Sequence, residues 1–247
     1  MMRNSFSLIS VLCITILLVS LPGMPAGSHL QNTAFLHVSS LNTSESRLRP
    51  EAIRIYDSLQ LEDYGLSLHA FEYAYKGYHY LAGKGWLNNP GIITICDFSQ
   101  SSAKKRLYVI DLNRYEILMT TYVAHGKNSG GEYAKKFSNK PRSHQSSLGF
   151  YITKNSYYGE HGLALRLSGV EKGINDNAFS RNIVLHGAAY ASDEFLQNNP
   201  FLGRSYGCPA IPKEETEKLI GAIKNGTCLF IYHPNEKYLA ASKILNG

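Results

Sequence analysis

Metal-type spacings are missing from this chain. None of its four cysteines and nine histidines forms a Cys-x-x-Cys or His-x-x-x-His pair, so no metal or other cofactor is expected. A basic stripe is missing too. The formal net charge is +6, but its sources are scattered, with short clusters only at Lys104-Lys105-Arg106 and Lys135-Lys136. That pattern predicts a solvated face and no nucleic-acid partner, while leaving a mild attraction to polyanions such as wall polymers. Beyond the first residues, no segment is apolar and long enough to span a bilayer of roughly 20 helical residues. Internal repeats and low-complexity tracts are absent as well.

The N-terminus reads as an export signal. Arg3 is the only formally charged residue before Glu45, Phe6 to Leu21 is apolar, and Pro22, Gly23 and Pro25 break the run before small residues follow. Residues 1–27 are therefore expected to be a signal peptide, with membrane attachment only if it stays uncleaved. Residues 28–47 are rich in Ser, Asn and Thr and read as a flexible linker.

Residues 48–87 read as a helical extension packed on the rest. Pro50 suits a first helical turn. Ser67 can cap a second helix in which Leu68, Phe71, Tyr75, Tyr78 and Leu81 recur at helical spacing, ending at Gly83 or Gly85. From Asn88 the pattern turns to β. Expected strands are 92–98, 107–112, 116–124, 149–153, 164–168, 183–186 and 228–232, with a hairpin turn at Asn113-Arg114. A helix from Lys213 to Lys224 stops at Asn225-Gly226. The expectation is one mostly-β, sandwich- or barrel-like domain over 88–240 with added N-terminal helices, α+β overall.

Beyond the leader, three cysteines remain. Cys96 and Cys228 sit in apolar, strand-like runs, where a thiol is usually an inert small hydrophobe; whether they pair with each other stays open. Cys208 differs, lying in Arg204-Ser205-Tyr206-Gly207-Cys208-Pro209-Ala210. Gly207 permits backbone geometry closed to other residues, and Pro209 stiffens the chain beyond. A nucleophilic thiol also needs a base and oxyanion donors. Three histidines precede a glycine. His186 closes the apolar run Ile183-Val184-Leu185, His125 closes Tyr122-Val123-Ala124, and His161 lies in a loop-like stretch.

The strand-His-Gly segment, the spacer and the Ser-x-Gly-Cys turn together resemble the L,D-transpeptidase catalytic domain, the YkuD-like fold. Other stretches are similar to its murein L,D-transpeptidase branch: 65–74, Arg106 to Leu112, Tyr122 to Gly130, Ser146 to Tyr151 and Gly203 to Ala210. The resemblance covers roughly residues 50–235. It implies a cysteine acyltransferase acting on peptidoglycan stem peptides. Cys208 would release D-alanine, form a thioester and pass it to an amine, with no cofactor. Carried over, His186 is the base, oriented by a carbonyl near Gly187, while Gly207 and Cys208 donate to the oxyanion and Ser205 supports the loop.

Ser147 and Gly149 match the family's substrate-side strand, and Tyr206, Arg204, Gly187 and His125 complete the expected substrate-binding set. The family often has His before the Gly-Cys pair and Arg or Asn two residues after it. This chain has Tyr206 and Ala210, and Arg204 is the expected substitute for the missing group. Together with the leader, the resemblance implies an exported protein of a bacterial periplasm or cell wall. The same thioester chemistry with water as acceptor gives a carboxypeptidase or endopeptidase. A non-catalytic wall-binding module is the alternative of another class.

Overall fold

The two strands with the most unbroken apolar sequence lie in the middle of the sheet, where both faces are covered. β1 (Ile92–Asp97) and β8 (Cys228–Tyr232) pair in parallel, with Ile93 opposite Cys228 and Cys96 opposite Ile231. The computed structural model describes residues 47–160 and 162–247. The expected signal peptide, His161 and all of the expected linker except Arg47 lie outside the described residues.

The remaining strands are β2 (Leu107–Asp111), β3 (Glu116–Thr121), β4 (Gly149–Gly159), β5 (Gly162–Gly169), β6 (Val184–Gly187) and β7 (Ala210–Ile211). They form one eight-stranded sheet in the order β3-β2-β1-β8-β4-β5-β6-β7. Its two ends approach each other. Beyond β3, Ala124 pairs antiparallel with Ala210 through N–H···O bonds of 2.7 and 3.2 Å. The sheet is thus a nearly closed, barrel-like mixed sheet with helices added, the expected fold class. Closure leaves few unpaired edge groups and brings the chain around residue 125 against the Cys208 turn.

α1 (47–58) and α2 (Leu68–Gly83) precede the sheet. Ser67 caps α2 by accepting from the Ala70 N–H at 3.2 Å. Ala52, Ile55, Phe71, Ala74 and Leu81 belong to the same buried cluster as Ile95, Phe150 and Phe230, so helices and sheet share one core. After β6 come α3 (Asp193–Gln197), α4 (Thr216–Ile223), α5 (Glu236–Ala241) and α6 (Lys243–Asn246). Buried Glu171 accepts from the Phe150 N–H and from the Ser242 and Tyr238 hydroxyls, tying the C-terminal helices to β4.

Several sequence expectations needed adjustment. β4 and β5 run on into a long hairpin reaching Gly159 and Gly162. The helix expected from Lys213 opens as a 3-10 turn, Lys213–Glu215, before α4. β7, α3, α5 and α6 were not anticipated. The open question of a Cys96–Cys228 bridge is answered by register: Cys228 lies opposite Ile93, three residues from Cys96 and so on the other face of the sheet. Both thiols are free and buried.

Gly77 shows how tightly α2 is seated. A Cβ there would sit 2.0 Å from the Phe150 ring, which itself stacks on Phe230 at 4.1 Å. Helix propensity alone would favour Gly77→Ala by about 1 kcal/mol. Overpacking should override it, with a net loss of about 1–3 kcal/mol in denaturant unfolding. A stabilised variant would show that α2 can slide off the ring.

Candidate active site

The sheet seam builds the site. Ser205 N–H donates to the His125 carbonyl at 3.0 Å, and Lys127 N–H donates to the Ser205 carbonyl at 2.8 Å. The turn carrying Cys208 is therefore pinned to 125–127 before it enters β7. Ser205 also holds the turn from within: its hydroxyl donates to the Cys208 carbonyl at 2.6 Å and accepts from the Gly207 N–H at 3.0 Å. Gly207 adopts φ +125°, and a Cβ there would meet the Gln145 carbonyl at 2.8 Å, so both conformation and space demand glycine. Its N–H would have to leave Ser205 to serve an oxyanion, whereas Pro209 has no N–H at all.

β6 and β7 are parallel neighbours, with His186 the register partner of Ala210. The Cys208 thiol lies at the start of β6. Its Sγ accepts from the Val184 N–H at 3.5 Å, and its S–H faces the Asn182 carbonyl at 3.6 Å. His186 stands two residues along the same strand. Its Nδ1 is 3.1 Å from the Gly187 carbonyl. A carbonyl can only accept, so the proton is on Nδ1 and the lone pair on Nε2. Burial pushes the Cys208 thiol up, opposed by the Val184 N–H and by the Arg181 guanidinium. The group rests as a thiol, so its proton must leave during attack.

A cavity of about 630 Å³ opens beside His186, lined among others by Tyr158, Glu160, Tyr190, Lys213 and Glu217. Among the described residues, no group of three or more His, Cys, Asp and Glu side chains is placed to hold a metal ion.

His125 stands apart from this chemistry. It is fully buried, and its Nδ1 faces the Arg106 guanidinium at 2.9 Å. Arg106 is itself buried, donating to the Val123 and Gln100 carbonyls and lying over the Phe98 ring. Burial, and then the Arg106 charge, lower the His125 pKa to about 3. The imidazole stays neutral and serves as a structural acceptor.

The other expected residues divide. Tyr206 is exposed beside Cys208, its ring between His144 and the Lys127 ammonium. Arg204 donates to the Gly130 carbonyl at 3.2 Å and lies over Phe201. Ser147 donates to the Ser138 carbonyl, and Gly149 lies against Glu171 and Asn175.

Two residues were missed. Ser146 bridges the seam, accepting from the Gly126 N–H and donating to the Gly207 carbonyl; a serine beside Ser147 carries no sequence signal of that role. Arg181 is the guanidinium whose charge reaches Cys208. Only the gap left by Ala210 hinted that a cation must come from elsewhere.

The barrel-like sheet thus carries His186 on β6 and Cys208 in the turn that leads into the adjoining β7. A family model described as L,D-transpeptidase catalytic domain matches residues 62–232. The chain belongs to that family. A comparison with curated proteins finds no match. Solved structures similar to it include an L,D-transpeptidase from Mycobacterium smegmatis, 12% identical with a TM-score of 0.36, covering 58% of this chain and 59% of that one. L,D-transpeptidase 3 from Mycobacterium tuberculosis, in complex with a faropenem-derived adduct, is 12% identical with a TM-score of 0.39, covering 58% and 60%. The helical cell shape determining protein Pgp2 (K307A mutant) from Campylobacter jejuni is 14% identical with a TM-score of 0.41, covering 69% and 62%. The chain thus spans about three fifths of the length of these structures.

Two tests follow from this geometry. Alkylation of the native protein should modify Cys208 and leave Cys96 and Cys228 unmodified until denaturant is added, as read by peptide mass spectrometry; early labelling of either strand thiol would contradict its burial. His125 has a folded pKa below its ordinary 6.5, so the unfolded chain takes up its proton first as pH falls. Its contribution is present above about 6.5 and is lost as pH falls toward 3. Denaturant midpoints across that window should slope less for His125→Gln than for the wild type.

Proposed function

We propose that the protein is an L,D-transpeptidase acting on peptidoglycan stem peptides through a Cys208 thioester. The observation carrying this reading is His186 Nδ1 held on the Gly187 carbonyl, which leaves Nε2 as the basic nitrogen one strand from the Cys208 turn. In the first half-reaction Nε2 takes the thiol proton as Sγ attacks the amide carbonyl between an L-centred residue and terminal D-alanine. The Cys208 N–H then faces the developing oxyanion. Collapse breaks the C–N bond, D-alanine leaves with the proton returned by His186, and the acyl group stays on sulfur. In the second half-reaction an amine from a neighbouring stem attacks the thioester, giving its proton to His186 and restoring the thiol.

The cavity beside His186 supports this reading by offering a resolving nucleophile room next to the base. With water there instead, the same site is a carboxypeptidase or endopeptidase. The N-terminal apolar run supports an exported protein of the periplasm or cell wall.

Incubation with a tetrapeptide stem should give an adduct on Cys208 equal to the stem less D-alanine, and muropeptides should yield crosslinked dimers. Trimmed stems alone would assign water as the acceptor. Cys208→Ala should form no adduct while remaining folded. His186→Ala should slow acylation by about 10²-fold or more. An intact adduct in Cys208→Ala would remove the thiol from the mechanism, leaving at most a wall-binding module.

A further inference from the structure

Arg181, whose charge reaches Cys208, also sits at the crossing of the elements that frame that residue. It lies in the turn 177–183, where Asn182 has φ +54° and Ile183 N–H donates to the Ala178 carbonyl at 2.9 Å. This turn feeds directly into β6. The Asn182 carbonyl and Val184 N–H on either side of Ile183 are the two groups touching the Cys208 sulfur. The guanidinium reaches from there to the loop 138–147. Nη1 donates to the Ser138 carbonyl at 2.8 Å and the Ser147 hydroxyl at 2.6 Å; Nη2 donates to the Gln145 carbonyl at 2.7 Å and the Ser143 hydroxyl at 3.2 Å. Gly207 packs against the same group, since a Cβ there would come within 3.3 Å of Nη2.

Every one of those acceptors is neutral. Among the described residues no ion pair involves Arg181, so its charge is not cancelled locally. Of the nearby arginines, Arg204 points away to the Gly130 carbonyl. The titratable groups that interact with the sulfur are Arg181 from the preceding turn and Tyr190 beyond β6, with His186 two residues past Val184 on β6 and Tyr151 facing Arg181 from β4. Of these, Arg181 is the permanent cation.

The geometry points to Arg181 as the positioning residue of this site: its fork fixes the 138–147 loop against the Gly207–Cys208 turn, and its uncancelled charge favours the Cys208 thiolate. This rests on Cys208 being the nucleophile. It places the guanidinium supporting the thiol before β6, in a turn far from the Cys motif in sequence. A nearby opposite charge shifts an ionisable group by about 1–3 pH units, and one unit is a tenfold change in thiolate fraction below its midpoint.

The test reads ionisation and not turnover, so it remains informative even if the acyl-transfer reading fails. The pH dependence of iodoacetamide alkylation at Cys208 is measured by mass spectrometry in the wild type, Arg181→Gln and Arg181→Lys. Arg181→Gln should shift the midpoint upward and slow alkylation at neutral pH about tenfold or more. Arg181→Lys should keep a midpoint near the wild type while hydrogen exchange in 138–147 speeds up, because the charge survives and the fork does not. A folded Arg181→Gln with the wild-type midpoint overturns the proposal, as does an Arg181→Lys shifted as far as Arg181→Gln. Should Arg181→Gln fail to fold, Ser143→Asp sets a carboxylate on the intact guanidinium. The midpoint should then rise, and an unchanged one is equally fatal.

Discussion

Two backbone hydrogen bonds between Ala124 and Ala210 join the ends of the sheet, and the site is arranged around them. Without that seam, β7 would be a two-residue strand on an open edge, and the turn before it would have no second support. With it, the chain from 124 to 127 becomes a rail for Ser205, and Ser205 fixes the carbonyl of Cys208 and the N–H of Gly207. The rail is itself held from inside by Arg106. A buried guanidinium is costly unless its donors are satisfied, and here they are spent on Val123, Gln100 and His125, the residues that must not shift.

Two histidine-glycine pairs flank the seam, His186 on β6 and His125 in the segment beyond β3, and their hydrogen-bond partners differ. His186 has a carbonyl on Nδ1, which leaves a lone pair on the opposite nitrogen. His125 has a guanidinium on Nδ1, which consumes the lone pair there. The donor or acceptor character of the partner thus sets the tautomer in each: the acceptor nitrogen is Nε2 in His186 and Nδ1 in His125, where burial adds to the effect of Arg106.

Sequence reading went furthest where local pattern and tertiary role coincide. The apolar runs of β1, β6 and β8 and the helical stripe of α2 were legible because burial on a fixed period leaves a visible trace. The Gly207–Cys208 turn was legible because glycine and proline constrain the backbone on the spot. The β4–β5 hairpin was read short because Lys154 to Gly159 is polar and largely exposed on both faces. β7 was missed because two residues between Pro209 and Pro212 carry no period. Arg181 was invisible for a different reason: its acceptors are carbonyls and hydroxyls 34 to 43 residues upstream, and main-chain partners leave no mark on composition. A charge clamp made to backbone can be found only once the loop it grips has been placed.

The opposite-facing placement of Cys96 and Cys228 has a bearing on how this site ages. Neither strand thiol can reach the other, and both are sealed in the core. An oxidant arriving from solvent would therefore meet Cys208 first. A sulfenic acid formed there would find no resolving thiol among the described residues, and so no internal disulfide in which to shelter. Repair would depend on a small thiol diffusing in past Tyr206. Without one, oxidation would proceed toward the irreversible acids.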